Sequence, residues 1–334
     1  MLTSLRRGRG VLVVLSLLAL AVLLSLALGA RDMPLPSVIE ALLHRNPQVN
    51  DHVVVWDLRL PRTVIGALAG AALGLAGALM QGLTRNPIAD PGLLGVNAGA
   101  SLAVVVAITW LGIGTTAGYI WFAFAGAALA AVAVYGIGSL GWEGATPVKL
   151  AIAGAALTAV LTSLITLVLL TDLQTLERYR FWQVGSLVGR DLAVVRTVAP
   201  FLAIGAVIAL ASGRMLNVAS LGDDVARGLG QSVTRTRAIS MAAIVLLCGA
   251  ATALAGPLVF VGLVAPHAAR WITGPDYRWI LPYSALLGAA LLLAADVLGR
   301  IVAPPGEVEA GLVVAFLGAP LLVALVRRTR LAGL

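Results

Sequence analysis

"RTVIGALAGAALGLAGALMQG", residues 62–82, carries one charge in twenty-one positions, and its reading decides the fold class. A helix crosses the hydrocarbon core of a bilayer with about 20 apolar residues, and this run supplies them. Gly66, Gly70 and Gly74 recur every four residues and form one smooth stripe, along which a neighbouring helix backbone can approach closely. The stretch predicts a membrane helix packed through small residues. It sits in a chain of 334 residues that is 60% hydrophobic and 11% charged, with a mean hydropathy of +0.99. Soluble domains carry about 25% charged residues, so an all-α polytopic membrane protein is expected.

On either side of residues 62–82 the same criterion gives ten spans, at about 11–30, 62–82, 92–112, 118–140, 149–171, 191–211, 237–255, 258–272, 279–297 and 308–326. The eighth is short and is separated from the seventh only by Gly256-Pro257. The first follows "SLRRGRG" and exceeds the roughly 7–15 apolar residues of a signal peptide, so it reads as a span. With ten spans and both termini in the cytosol, 14 of the 23 Lys and Arg residues and 5 of the 15 acids lie inside, in the sense of the positive-inside rule. Trp56, Trp110, Trp121, Trp142, Trp182, Trp271 and Trp279 fall near span ends, as interfacial anchors do. The net charge of +8 is dispersed between apolar runs, which does not suit nucleic acid, and the single Cys248 excludes an intrachain disulfide.

Four polar interruptions are not explained by span-making. "RNPIADPGLLGVNAGAS", Arg85–Ser101, has Pro87 and Pro91 to prevent a continuous helix, and reads either as a tight turn or as a constriction at the inner end of a pathway. "WDLRLPR" sets Arg59 and Arg62 at an outer span end, either snorkelling to lipid phosphate or gripping partner carboxylates in guanidinium forks. Arg300 joins them with Asp296 four residues before it, the spacing of a helical ion pair that makes Asp296 an orienting partner. Asp172–Arg190 holds Arg178, Arg180, Phe181 and Trp182, an interfacial helix or the lining of an outer vestibule for an anionic, aromatic-rich solute.

The fourth is "SLGDDVARGLGQSVTRTR", Ser220–Arg237. Ser220 and Asp223 have capping-box spacing, Leu221, Val225 and Leu229 share one helical face, and Gly228 and Gly230 break the helix before Ser232 caps a second short turn. These features suggest two short cytosolic helices, with Leu221, Val225 and Leu229 toward the spans and Asp224 and Arg227 toward a soluble partner. A solvated loop is the alternative. No P-loop is present, since the only lysine, Lys149, lacks its glycines and its following Ser or Thr. Neither HExxH nor GxSxG occurs, and His44, His52 and His267 have no ligand spacing. The acids lie near span ends, which makes an ion-coupled symporter the weaker transport reading.

Together, Leu58–Ser101, "FWQVGSL" (181–187), "SLGDDVARGLG" (220–230), "GPLVFVGLVAPHAARW" (256–271), "ADVLGR" (295–300) and "FLGAP" (316–320) resemble the permeases of type II ABC importers for ferric siderophores, haem and cobalamin. The resemblance spans nearly the whole chain, and "RNPIADPGLLGVNAGAS", "RFWQVGSL" and "ARW" look most like the permeases of ferric-enterobactin systems. It implies a bacterial cytoplasmic-membrane subunit, paired with a second permease, a paralogue being preferred to an identical copy. Two ATP-binding subunits carrying ATP and Mg would lie below and one extracytoplasmic substrate-binding protein above, with no cofactor and no enzyme activity in this chain. By position, Arg59, Arg62 and Arg300 match arginines that meet glutamates of the binding protein. Leu221, Gly222, Asp223, Asp224, Ala226, Arg227, Leu229 and Gly230 match the stretch that couples to the ATPase. Asn86, Pro87 and Ile88 match the inner gate. The facing gate loop here reads Thr146-Pro147-Val148, where the cobalamin member has a Thr-Ser pair.

Overall fold

The structure is a computed structural model and describes residues 2–29, 33–140, 146–304 and 306–331, with no strand among them. Fifteen α-helices follow one another: α1 (Leu2–Ala27), α2 (Leu35–Leu43), α3 (Asn50–Val53), α4 (Leu60–Thr84), α5 (Val96–Leu111), α6 (Thr116–Gly138), α7 (Pro147–Thr171), α8 (Leu173–Gln183), α9 (Leu192–Ala211), α10 (Gly213–Ala219), α11 (Asp223–Gly228), α12 (Val233–Ala255), α13 (Val261–Thr273), α14 (Tyr277–Val302) and α15 (Ala310–Leu331). A π-helical turn, Val54–Arg59, leads into α4, and a 3-10 turn, Pro91–Leu94, leads into α5.

Among the described residues seven helical segments are long and apolar enough to cross a membrane, and Val96–Leu111 is a shorter apolar helix. The expected eighth span corresponds to α13, which has only 13 residues. Of the interfacial tryptophans, Trp142 lies outside the described residues.

Helix α4 is the axis of the bundle, packed by α14, α12 and α13. The glycine stripe makes this possible. A β-carbon at Gly70 would overlap the Gly288 carbonyl, and one at Gly74 the Ser284 carbonyl, so α4 and α14 meet backbone to backbone. Gly77 abuts Gly262 of α13 in the same way, and Gly99 and Gly126 join α5 to α6.

The break between α12 and α13 is built by Gly256 (φ 78°), Pro257 and the left-handed Phe260 (φ 67°). Pro266 has no N–H to offer the carbonyl four residues earlier, that of Gly262. Gln81 of α4 turns its Nε2 toward the Gly262 and Leu263 carbonyls, 3.4 Å from each, while Arg270 donates to Gln81 Oε1 at 2.7 Å. Gln81 is thus partnered at both ends of its amide inside the bundle.

Candidate functional site

Two charged clusters lie at opposite ends of α4, about 35 Å apart from Arg62 to Arg85 at the helical rise. At the first end α1 stops at Ala27, leaving its last carbonyls without helical donors. Arg59 Nη1 donates to Leu26 O (2.7 Å) and Ala27 O (2.6 Å), and Arg300 Nη1 donates to Ser25 O (2.8 Å) and Leu28 O (3.1 Å). Two guanidiniums therefore cap one helix end, where the macrodipole also favours cations.

Asp296 is fully buried and supplies the counter-charge. It is bonded to Arg300 one turn on, the expected helical pair, and takes a forked contact from Arg62, with Nε at 3.0 Å from both carboxylate oxygens and Nη2 at 2.8 Å. Arg62 Nη1 reaches Glu307 at 2.7 Å. Arg59 and Arg300 are thus buried and Arg62 is largely shielded, and all three are committed to partners within the chain.

These side chains form the floor of an open cleft of about 940 Å3. Six arginines (45, 59, 62, 190, 196 and 300) line it against three acids, Asp57, Asp191 and Glu307. Arg45, Arg190 and Arg196 did not stand out in the sequence as part of this set, because they come from separate loops and the start of α9.

The vestibule expectation is corrected at one residue. Trp182 is buried, not lining open space: its ring lies 5.9 Å from Tyr179 and 6.4 Å from Tyr119, edge-on to the latter. Arg178, Arg180 and Phe181 fall on the same helix, α8, and Arg180 is exposed.

At the other end of α4, Asp223 opens α11. Its Oδ1 lies 3.3 Å from Arg85 Nη2 at the end of α4, and its Oδ2 lies 2.7 Å from Arg237 Nη2 on α12. Helix α10 is fastened beside it. Asn217 donates to Asp276 Oδ1 at 2.7 Å and accepts from Tyr277 N at 2.8 Å, while Asp276 caps α14. Hydrogen bonding from Arg278 holds the Asp276 carboxyl well below the usual carboxylate range. A depressed carboxylate stabilises the fold above its ordinary range and loses that effect as pH falls through the folded value, so this clamp is intact at neutral pH.

Three expectations for this segment are corrected. Leu221, Val225 and Leu229 do not face the spans: they are 59%, 49% and 64% exposed, and Ala226 is the buried residue of α11. Ser220 forms no capping box. Its Oγ donates back to Asn217 O at 2.7 Å, and the N-cap position of α11 is Gly222, whose φ of 109° suits glycine. Ser232 does cap a helix, accepting from Arg235 N, but that helix is the 23-residue α12, not a short turn. Asp224 and Arg227 are exposed as expected and pair with each other at 3.0 Å.

The candidate gate residues follow directly from Arg85. Asn86 Oδ1 accepts from Ile88 N at 3.1 Å and Ala89 N donates to Asn86 O at 3.2 Å, so Asn86-Pro87-Ile88 is a defined Asx-type turn, with Pro87 exposed. Thr146 is the N-cap of α7, accepting from Lys149 N at 3.4 Å with Pro147 at the first helical position.

Comparison with known proteins shows the family of the chain. Residues 17–328 match the FecCD transport family. The chain is 48% identical over 319 residues to the ferric enterobactin transport system permease protein FepD of Escherichia coli (strain K12), covering 96% of this chain and 95% of that one. It is 42% identical to the iron(3+)-hydroxamate import system permease protein FhuB of Bacillus subtilis (strain 168), over 95% and 82% of the two chains. With the cobalamin import system permease protein BtuC of Halobacterium salinarum it shares 38% identity over 82% and 73%. A solved structure of a metal-chelate type ABC transporter in an inward-facing conformation superposes with a TM-score of 0.82 at 23% identity, covering 96% and 99%, a likeness of fold. The helical bundle, the capped arginine cluster and the paired Asp223 thus sit in a chain that belongs to the FecCD transport family, as a non-enzymatic membrane permease subunit of an ABC importer whose ATPase is a separate chain.

Proposed function

We propose that this chain carries a ferric siderophore, of the catecholate class, across the bacterial cytoplasmic membrane, with both its termini in the cytosol. The observation that carries the reading is the 48% identity, sustained over nearly the full length, to a ferric enterobactin permease. The excess of Lys and Arg in the segments assigned to the cytosol supports the orientation. The 38% identity to a cobalamin permease keeps haem or cobalamin as the second reading.

In this mechanism a substrate-binding protein settles over the arginine-rich cleft, drawn by an excess of fixed positive charge that suits acidic side chains. Two ATP-binding subunits, holding ATP and Mg, meet α11 on the opposite side. The exposed Leu221, Val225 and Leu229 give them an apolar patch, and Asp224 and Arg227 give it a polar rim. Closure of the ATPase then displaces α11 and opens or closes the Asn86–Ile88 turn against the Thr146 loop of a second permease, a paralogue by preference.

Uptake into proteoliposomes holding this chain, its paralogue, the ATPase and the binding protein tests the reading. Iron-55 supplied as a ferric catecholate complex should enter only with ATP inside. Uptake driven by an ion gradient without ATP would establish a secondary transporter, and ATP-driven uptake of cobalamin or haem alone would establish the second reading.

A further inference from the structure

Arg85 stands where a helix end ordinarily takes glycine. It is the C-terminal cap of α4 in the left-handed region, at φ 53° and ψ 29°, and it is one of two described non-glycine residues with positive φ. A side chain in that region is disfavoured, so what Arg85 holds in this conformation is informative. Its guanidinium reaches the start of α11. It pairs with Asp223 at 3.3 Å, and a β-carbon at Gly222 would come 3.6 Å from its Nη1. Both partners are partly shielded, and Arg237 grips the other carboxylate oxygen at 2.7 Å, so Asp223 ties α11 to α4 and α12 together.

The residue after Arg85 is Asn86. Its turn is stiffened by the Ile88 and Ala89 amides, and its own N–H donates to Gln81 O at 3.2 Å. The left-handed backbone at Arg85 therefore sets the direction in which this turn leaves α4. We propose that the Arg85–Asp223 ion pair is the link that passes displacement of α11 to the Asn86–Ile88 turn, by holding Arg85 left-handed while α11 is seated and letting it relax toward the right-handed helix when α11 shifts. Relaxation would extend α4 by one residue and swing the turn. The inference rests on the reading of α11 as the ATPase-facing element and of Asn86–Ile88 as the gate, and it makes Arg85 a positioning residue rather than a member of either.

The test uses the complete transporter in proteoliposomes with an Ile88→Cys reporter, the native Cys248 being buried. Labelling of the introduced thiol by a polar maleimide should change about threefold or more on addition of ATP if ATP shifts the population between two states. In an Arg85→Gln background the ATPase should still co-purify and hydrolyse ATP, but the ATP-dependent change in labelling should vanish. Arg85→Lys, which keeps the charge, should recover at least about half of it. Arg85→Gly separates linkage from folding, because it relieves the left-handed backbone and should raise the melting temperature while still losing the response. A full response in Arg85→Gln or Arg85→Gly, or none in Arg85→Lys, overturns the link. Absence of any ATP response in the Ile88→Cys parent overturns the coupling and gate reading itself, and is recognised by its appearing before Arg85 is touched.

Discussion

Asp296 shows how much one buried carboxylate controls. It neutralises Arg62 and Arg300, both largely shielded from solvent, and through Arg300 it fixes the end of α1. Removing one member of such a buried set leaves uncompensated charge, at about 3–5 kcal/mol. Asp296→Asn should therefore lower the detergent melting temperature sharply and reduce membrane yield, while Glu307→Gln, whose carboxylate lies nearer the open cleft, should change either little. A thermal-shift series that ranks the two equally would remove Asp296 from this role. The Asp296–Arg300 pair was legible in the sequence because the two are one helical turn apart, and Arg59, Arg62 and Arg300 were expected at the same outer end. The forked contact of Arg62 with Asp296 was not legible, since the two are 234 residues apart and only the packing of α4 on α14 brings them together. Trp182 illustrates the opposite error. A loop rich in arginine reads as surface, yet this ring is carried inward to meet Tyr119 and Tyr179.

Among the elements, α4 and α11 present contrasting problems of reading. The stripe Gly66, Gly70 and Gly74 predicts close packing from spacing alone, and α14 provides the backbone that needs it. Gly74→Ala should cost about 1–3 kcal/mol by overpacking, measured as unfolding in detergent. Gly136→Ala is the control: it meets nothing within 4 Å and should stabilise α6 slightly. Equal effects would mean that the α4–α14 approach is not limiting. For α11 the periodicity identified an apolar face correctly but assigned it to the wrong medium. Six residues of helix offer too little length to bury a stripe against the bundle, and Ala226 alone does so, leaving Val225 and the flanking Leu221 and Leu229 outward. Amphipathicity shows that a helix has two faces; it does not say whether the apolar one meets its own chain or another. Val225→Asp with Leu229→Asp should leave the melting temperature of the isolated permease within about 0.5 kcal/mol equivalent, as exposed substitutions do, yet abolish co-purification of the ATPase. Retained co-purification would return the segment to a solvated loop.

For the molecule as a whole, the spans were readable because a bilayer imposes length and apolarity together, whereas the two short helices α5 and α13 show where folding departs from that rule. Residues elsewhere in the chain accommodate the shortness of α13: Gln81 serves the Gly262 carbonyl, and Gly77 lets its backbone approach α4. The same economy of polar groups bears on selectivity. Helix α7 is the least buried of the seven long apolar segments, yet hydroxyls it presents outward are turned back on their own backbone, Ser163 to Ala159 O and Thr166 to Thr162 O, both at 2.9 Å. A polar ligand gains little from groups already bonded, because only exchange of partners is on offer. Recognition should then reside in the binding protein. Titration of the detergent-solubilised permease–ATPase complex with a ferric catecholate should show no saturable binding below about 100 μM, weaker than about 5.5 kcal/mol of binding free energy. In proteoliposomes the transport KM should instead follow the Kd of whichever binding protein is supplied, moving when a binding-protein variant of altered affinity replaces the original. Micromolar binding by the complex alone, or a KM indifferent to that exchange, would place a specific solute site within these helices.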